Sequence, residues 1–256
     1  MNMFASIEKM TNEIVRIMDG NIRGVWLYGS VVMDDHRPGW SDIDFIALTD
    51  GQITEAQAKK LLNLRQVMLE KEPSNPYYRS FEGIIANAEE YKCRSFTRLV
   101  YWGTSGQRVT DRYAPDIFAE FELANKGRQV YGSAPWILPA PSREALVCAV
   151  RAHYDSMRRF AVQTDESIYS CGWLLDIARC IYTLRYNDVV SKTRAGEWAL
   201  DQHIFTDEEP LKKTLEIRRE PLSYKDDGAV KRWFGSLGPV VQKYADSLGL
   251  ELSKEQ

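Results

Sequence analysis

Phe45-Ile46-Ala47-Leu48 is an apolar run that begins directly after Asp42-Ile43-Asp44. A strand with one face in water alternates polar and apolar residues. This one does not, so residues 43–49 read as a central strand buried on both faces. The elements around it follow from hydrophobic period and turn chemistry. Met3, Ile7, Met10, Ile14 and Ile17 recur at helical spacing, and Asp19-Gly20-Asn21 ends that helix. Residues 22–28 read as a strand, and Pro38-Gly39 marks a turn before the central one. A helix over 54–71, a strand over 80–86 and a helix over 116–127 follow. The order helix, strand, strand, helix, strand predicts a small mixed α/β domain, not a regular βαβ array.

The pattern changes after residue 135. Pro135, Pro139 and Pro141 mark a linker, and Ser142 is placed to cap a helix. Beyond it the period is helical almost throughout, with a stripe of Leu146, Val147, Val150, Tyr154, Met157 and Phe160 and helices over about 168–185, 193–202 and 207–220. A last one is expected to kink at Gly238-Pro239. The fold class is therefore α+β. An N-terminal mixed domain over 1–138 is joined to an all-helical domain over 139–256.

The 256 residues carry 33 basic and 36 acidic side chains, so a basic, polyanion-binding chain is disfavoured and no nucleic-acid partner is expected. No apolar run approaches the roughly 20 residues that span a bilayer. The first 18 residues are too charged for a secretory leader. A soluble, cytoplasmic protein with no membrane partner is the expectation. The four cysteines and three histidines show no zinc-site spacing.

The chemistry-bearing residues gather around the first two strands. Residues two apart on a strand share a face, so Asp42 and Asp44 project side by side. Two such carboxylates repel one another. A magnesium ion would relieve the repulsion, because it takes hard oxygen ligands and bridges them to phosphates. Upstream, Leu27-Tyr28-Gly29-Ser30 ends the preceding strand. Gly29 lets a backbone approach a ligand, and amides there with the Ser30 hydroxyl could donate to a phosphate. Glu82 lies inside the third strand, Phe81-Glu82-Gly83-Ile84-Ile85, where an acid is unusual. It is the candidate third carboxylate for two-metal phosphoryl transfer.

Gly-Ser, a short spacer and Asp-x-Asp before an apolar strand resemble the signature of the DNA polymerase beta-like nucleotidyltransferases. Within that superfamily the sequence is similar to the aminoglycoside adenylyltransferases that modify streptomycin and spectinomycin. Those share the Leu-Tyr-Gly-Ser start and the Ser41-Asp42-Ile43-Asp44 ending. The likeness extends to 174–184, with Ala178-Arg179, and to Val190-Ser191-Lys192 followed by Glu197-Trp198-Ala199. It implies an ATP-dependent, magnesium-dependent enzyme that transfers AMP to a hydroxyl of a small-molecule acceptor, a reaction of antibiotic resistance. Asp42, Asp44 and Glu82 would be the metal and catalytic acids, with Glu82 as general base. Gly29, Ser30, Ser41, Arg179 and Lys192 would serve the nucleotide. Trp102, Asp165, Glu166 and Asp176 would be candidates for the acceptor site, in a cleft closed by the helical domain. Two alternatives stand beside this reading. One keeps the reaction but modifies another small molecule or a protein; the other is a nucleotide-binding module without turnover.

Overall fold

The computed structural model describes residues 2–103 and 106–255. The chain divides into two compact units, 1–34 with 42–140, and 35–41 with 141–256.

The first unit is built on one six-stranded sheet. In chain order it contains α1 (Met3–Met18), β1 (Gly24–Leu27), β2 (Ile43–Thr49), α2 (Glu55–Lys71), β3 (Phe81–Asn87), α3 (Ala88–Cys93), β4 (Leu99–Gly103), β5 (Gly106–Thr110), α4 (Ile117–Asn125) and β6 (Arg128–Tyr131). The strands lie in the order β5-β4-β3-β2-β1-β6, and β2–β3 is parallel while the other pairings are antiparallel. The central place and two-sided burial expected of β2 are both observed. Its odd residues, Ile43, Phe45 and Ala47, join a core with α1 and α2 side chains such as Met10, Ile14, Leu61 and Met68. Its even residues, Ile46 and Leu48, join a second core with Trp26, Ile84, Ala86, Tyr91 and Leu123. Strand alternation thus divides one apolar run between two cores.

Three strands escaped the sequence reading. β5 and β6 are edge strands with mostly exposed or half-buried side chains, and β6 has only four residues. Such strands carry little hydrophobic signal and are recruited by pairing with neighbours. β4 is buried, but it is a short apolar run whose period cannot separate strand from helix.

The second unit is helical, as expected, with α5 (Arg143–Phe160), α6 (Tyr169–Tyr186), α7 (Lys192–Asp201), α8 (Glu209–Arg219), α9 (Pro221–Tyr224), α10 (Gly228–Gly235) and α11 (Gly238–Ser253). The Ser142 hydroxyl accepts the Ala145 N–H and caps α5. The expected kink at Gly238-Pro239 is instead a break between α10 and α11, with Pro239 in the first turn of α11. Proline suits that turn, where its missing N–H has no carbonyl to meet. Among the described residues no helix is long and apolar enough to cross a membrane.

Residues 35–41 lie between β1 and β2 in sequence yet cluster with the helical unit. Nothing in the residue pattern announced this. Its cause is a buried polar knot. The Asp35 carboxylate accepts from the Thr193 hydroxyl at 2.6 Å and pairs with the Arg218 guanidinium at 2.7 Å.

Candidate active site

β2 and β3 run parallel with Asp44 directly opposite Glu82. Both side chains belong to the even-numbered face, beyond the apolar end formed by Ile46 and Ile84, and both are half-buried. Asp42 stands just before β2, also half-buried. The parallel register therefore sets the second aspartate beside the glutamate across a strand gap of about 4.8 Å.

Two surrounding groups went unforeseen. Arg65, from α2, donates to the Phe81 carbonyl at 2.7 Å at the head of β3. Burial lowers its pKa, and the negative charges of Glu82 and Asp42 oppose that shift. A guanidinium thus shares the neighbourhood of two of the three acids and offsets part of their repulsion. Its signal was available: it falls between Leu61, Leu64 and Met68, the buried stripe of α2, where a charge is out of place. Tyr101, on β4, donates its hydroxyl to Glu82 Oε1 at 3.3 Å. Burial first, and the Glu82 charge second, raise its pKa and keep it a donor at neutral pH.

The Gly-Ser turn is held from below. Gly29 has φ +70°, and a Cβ there would collide with the Asp44 carboxylate. Its N–H donates to the buried Glu122 carboxylate of α4 at 3.0 Å, so this amide is not available to a phosphate as the sequence suggested. The Tyr28 N–H donates to the Asp44 carbonyl at 3.1 Å, and the Ser30 hydroxyl contacts the Asp42 carbonyl at 3.4 Å. Residues 29–31 form a single 3-10 turn, so no long helix begins here. The Ser41 hydroxyl is engaged, accepting the Arg37 N–H at 3.0 Å.

Among the described residues no three acidic, histidine or cysteine side chains form a ready-made metal cage. Magnesium does not require one. It keeps several waters and takes one or two carboxylates with the phosphates of its substrate. The Asp42, Asp44 and Glu82 oxygens are hard donors of the kind it selects, and the absent side chain of Gly29 lets the Asp44 carboxylate pack against the turn.

The remaining candidates are dispersed. Trp102 is fully buried in the core and packs on Phe45 with ring centroids 5.3 Å apart. It is a packing residue of the sheet, and the expectation that it lines an acceptor site is corrected. The aromatic side chain was read as a platform, but its parity on β4 turns it toward α1 and α2. In the helical unit, Asp176 of α6 accepts from Lys192 at 3.1 Å and from Arg179 at 3.3 Å. Burial alone would push the Asp176 carboxyl up, but those two cations hold it below the usual carboxylate range. Asp176, expected at the acceptor, thus forms one cluster with Arg179 and Lys192, expected at the nucleotide. Asp165 is occupied by the turn before α6, accepting from the Ser167 N–H and the Ser170 hydroxyl, both at 2.9 Å. Glu166 borders a cavity of about 320 Å³ lined by Ile168, Leu222, Tyr224 and Phe234.

The comparisons agree with this architecture. Residues 8–91 match the model of the nucleotidyltransferase domain, and the chain is an enzyme of the nucleotidyltransferase class. Residues 137–230 match the model described as the aminoglycoside adenylyltransferase C-terminal domain. With both matches in one chain, the protein belongs to the aminoglycoside adenylyltransferase family of nucleotidyltransferases. In structure the chain is similar to a spectinomycin adenyltransferase, AAD(9) of Enterococcus faecialis, crystallised with ATP and spectinomycin. The TM-score is 0.61 at 16% identity, over 97% of this chain and 100% of that one. No curated protein matches the sequence.

Proposed function

We propose that the enzyme transfers AMP from ATP to a hydroxyl of an aminoglycoside-type antibiotic such as streptomycin or spectinomycin. The observation that carries this reading is the Asp44–Glu82 register beside Asp42, together with a C-terminal domain of the aminoglycoside-modifying type. Asp42, Asp44 and Glu82 would hold magnesium, which when bound neutralises charge on the triphosphate. Glu82 takes the proton of the acceptor hydroxyl as its oxygen attacks the α-phosphorus. The new phosphorus–oxygen bond forms as the bond to the bridging oxygen breaks, and pyrophosphate leaves with that electron pair. Tyr101 holds the Glu82 carboxylate in orientation. Ser30 and Ser41 serve the nucleotide from the turn, and Arg179 and Lys192 supply positive charge for its phosphates. Asp176 keeps those two cations in place.

A second reading keeps the reaction and changes the acceptor. The burial of Trp102 favours it, because it removes the aromatic wall expected for an aminoglycoside. The test is ATP- and magnesium-dependent pyrophosphate release, screened over streptomycin, spectinomycin and other hydroxylated small molecules. Release with the first two supports the antibiotic reading, and release only with others supports the second. An Asp42→Asn/Asp44→Asn variant that keeps full release would overturn both.

A further inference from the structure

Glycine takes positive and negative φ about equally, so a glycine in a functional turn needs something to choose between them. Gly29 sits at φ +70°, and both of its neighbours are tied to the acids. The Tyr28 N–H donates to the Asp44 carbonyl and the Ser30 hydroxyl to the Asp42 carbonyl. The Asp44 carboxylate itself fills the space where a Gly29 Cβ would lie. A swing of Gly29 to negative φ would turn its amide away, move Ser30 and unseat the Asp44 side chain.

The residue set against that swing is Glu122. Arg128, the first residue of β6, pairs with Leu27, the last of β1, so the C-terminal turn of α4 comes down beside the end of β1. Gly127 keeps the joint between α4 and β6 tight, since a Cβ there would strike the Leu123 carbonyl. Glu122, on that turn, accepts the Gly29 N–H at 3.0 Å. It is only 4% exposed, and the next residue, Leu123, belongs to the apolar core with Trp26 and Leu48. A carboxylate buried there costs more to desolvate than an apolar side chain would. In return it makes a charge-assisted hydrogen bond, roughly twice as strong as one to a neutral oxygen.

We propose that Glu122 is a positioning residue for the nucleotide turn. It fixes Gly29 at positive φ and so holds Ser30 and the Asp44 carboxylate in the arrangement that receives magnesium and ATP. Gly29, Ser30, Asp44 and Glu122 all lie in the first unit. The inference rests on the reading of Gly29-Ser30 and the acids as the nucleotide and metal site.

The test is calorimetric binding of α,β-methylene-ATP with magnesium to the whole chain, alongside thermal unfolding. Glu122→Gln keeps an acceptor oxygen at the same reach. Glu122→Leu keeps the bulk and removes the acceptor. Glu122→Asp keeps the charge and draws it back by one methylene. The Leu and Asp variants are expected to bind the analogue about five- to thirtyfold more weakly, the equivalent of ordering one backbone residue on binding. The Gln variant is expected to bind close to wild type. Leu123→Ala is the control, since it opens a hole in the neighbouring core without touching the turn. It is expected to lower the melting temperature and leave the affinity unchanged. If the Leu variant does not fold, the Asp variant decides. Wild-type affinity in a folded Leu or Asp variant would overturn the proposal. So would an equal loss in Leu123→Ala, which would make the effect one of core packing. If the wild-type chain does not bind the analogue, the nucleotide reading of the turn itself fails, which is a different result.

Discussion

Gly29 shows how little space the site has to spare. Its positive φ and its contact with the Asp44 carboxylate both exclude a side chain. Gly29→Ala is expected to cost about 1–3 kcal/mol of stability, the usual range for a strained backbone position. Thermal unfolding measures that cost, and calorimetry with an ATP analogue should show nucleotide affinity falling with it. Glu82 makes the complementary case. A glutamine there keeps the shape and an acceptor oxygen for the Tyr101 hydroxyl, and Arg65 keeps its bond to the Phe81 carbonyl, so Glu82→Gln should fold normally. Pyrophosphate release should fall about 10²- to 10⁴-fold, the typical contribution of a general base. A Gln variant with wild-type turnover would remove Glu82 from the chemistry. These residues were visible in the sequence because an acid in an apolar strand and a glycine before a serine stand out locally. Glu122 was not, since its role comes only from a fold that carries α4 beneath the Gly29 amide.

At the scale of elements, strand parity decides what each side chain can do. Asp44 and Glu82 share a face because β2 and β3 are parallel and in register. A slip of one residue would bury one acid and expose its apolar neighbour. Trp102 is the converse, a residue whose chemistry suggested function and whose face made it core. Trp102→Phe is therefore expected to lower the melting temperature by several degrees, as a core truncation does. The Michaelis constant for acceptor should stay unchanged; a selective rise in it would restore Trp102 to the acceptor site. Helices were read more securely than strands. A cap such as Ser142 or a stripe such as Leu146, Val150 and Met157 is a short-range signal. Edge strands such as β5 depend on partners distant in sequence.

For the whole molecule, the charged groups of the helical unit set an acid limit. The Asp35 carboxyl is held below its usual range: burial opposes ionisation, but Arg218 and the Thr193 hydrogen bonds overcome it. Asp176 is lowered in the same sense. A depressed carboxyl favours folding above the unfolded pKa, and that contribution disappears as pH falls through the folded value. His36 acts in the same direction. Burial, with the charges of Arg218 and Arg37, lowers its pKa, so the unfolded chain takes up the proton first. Stability should thus begin to decline as pH drops below about 6.5 and fall steeply below about 4. Thermal unfolding across pH 3–8 checks this, and His36→Gln should flatten only the upper part of the decline.

What the residues determined alone is everything that local chemistry encodes. The apolar run of β2, the paired acids before it, the glycine-serine turn and the helical period after residue 135 were enough for the fold class and the reaction class. Those signals survive in a linear reading because each depends on neighbours within one turn or one strand. The tertiary structure decided the rest. It alone could show that Arg65 and Tyr101 attend the acids, that Glu122 occupies the Gly29 amide, and that Trp102 belongs to the core. It also drew residues 35–41 into the helical unit. The Asp35–Arg218 pair joins positions 183 residues apart, and no local propensity reports on a partner at that distance.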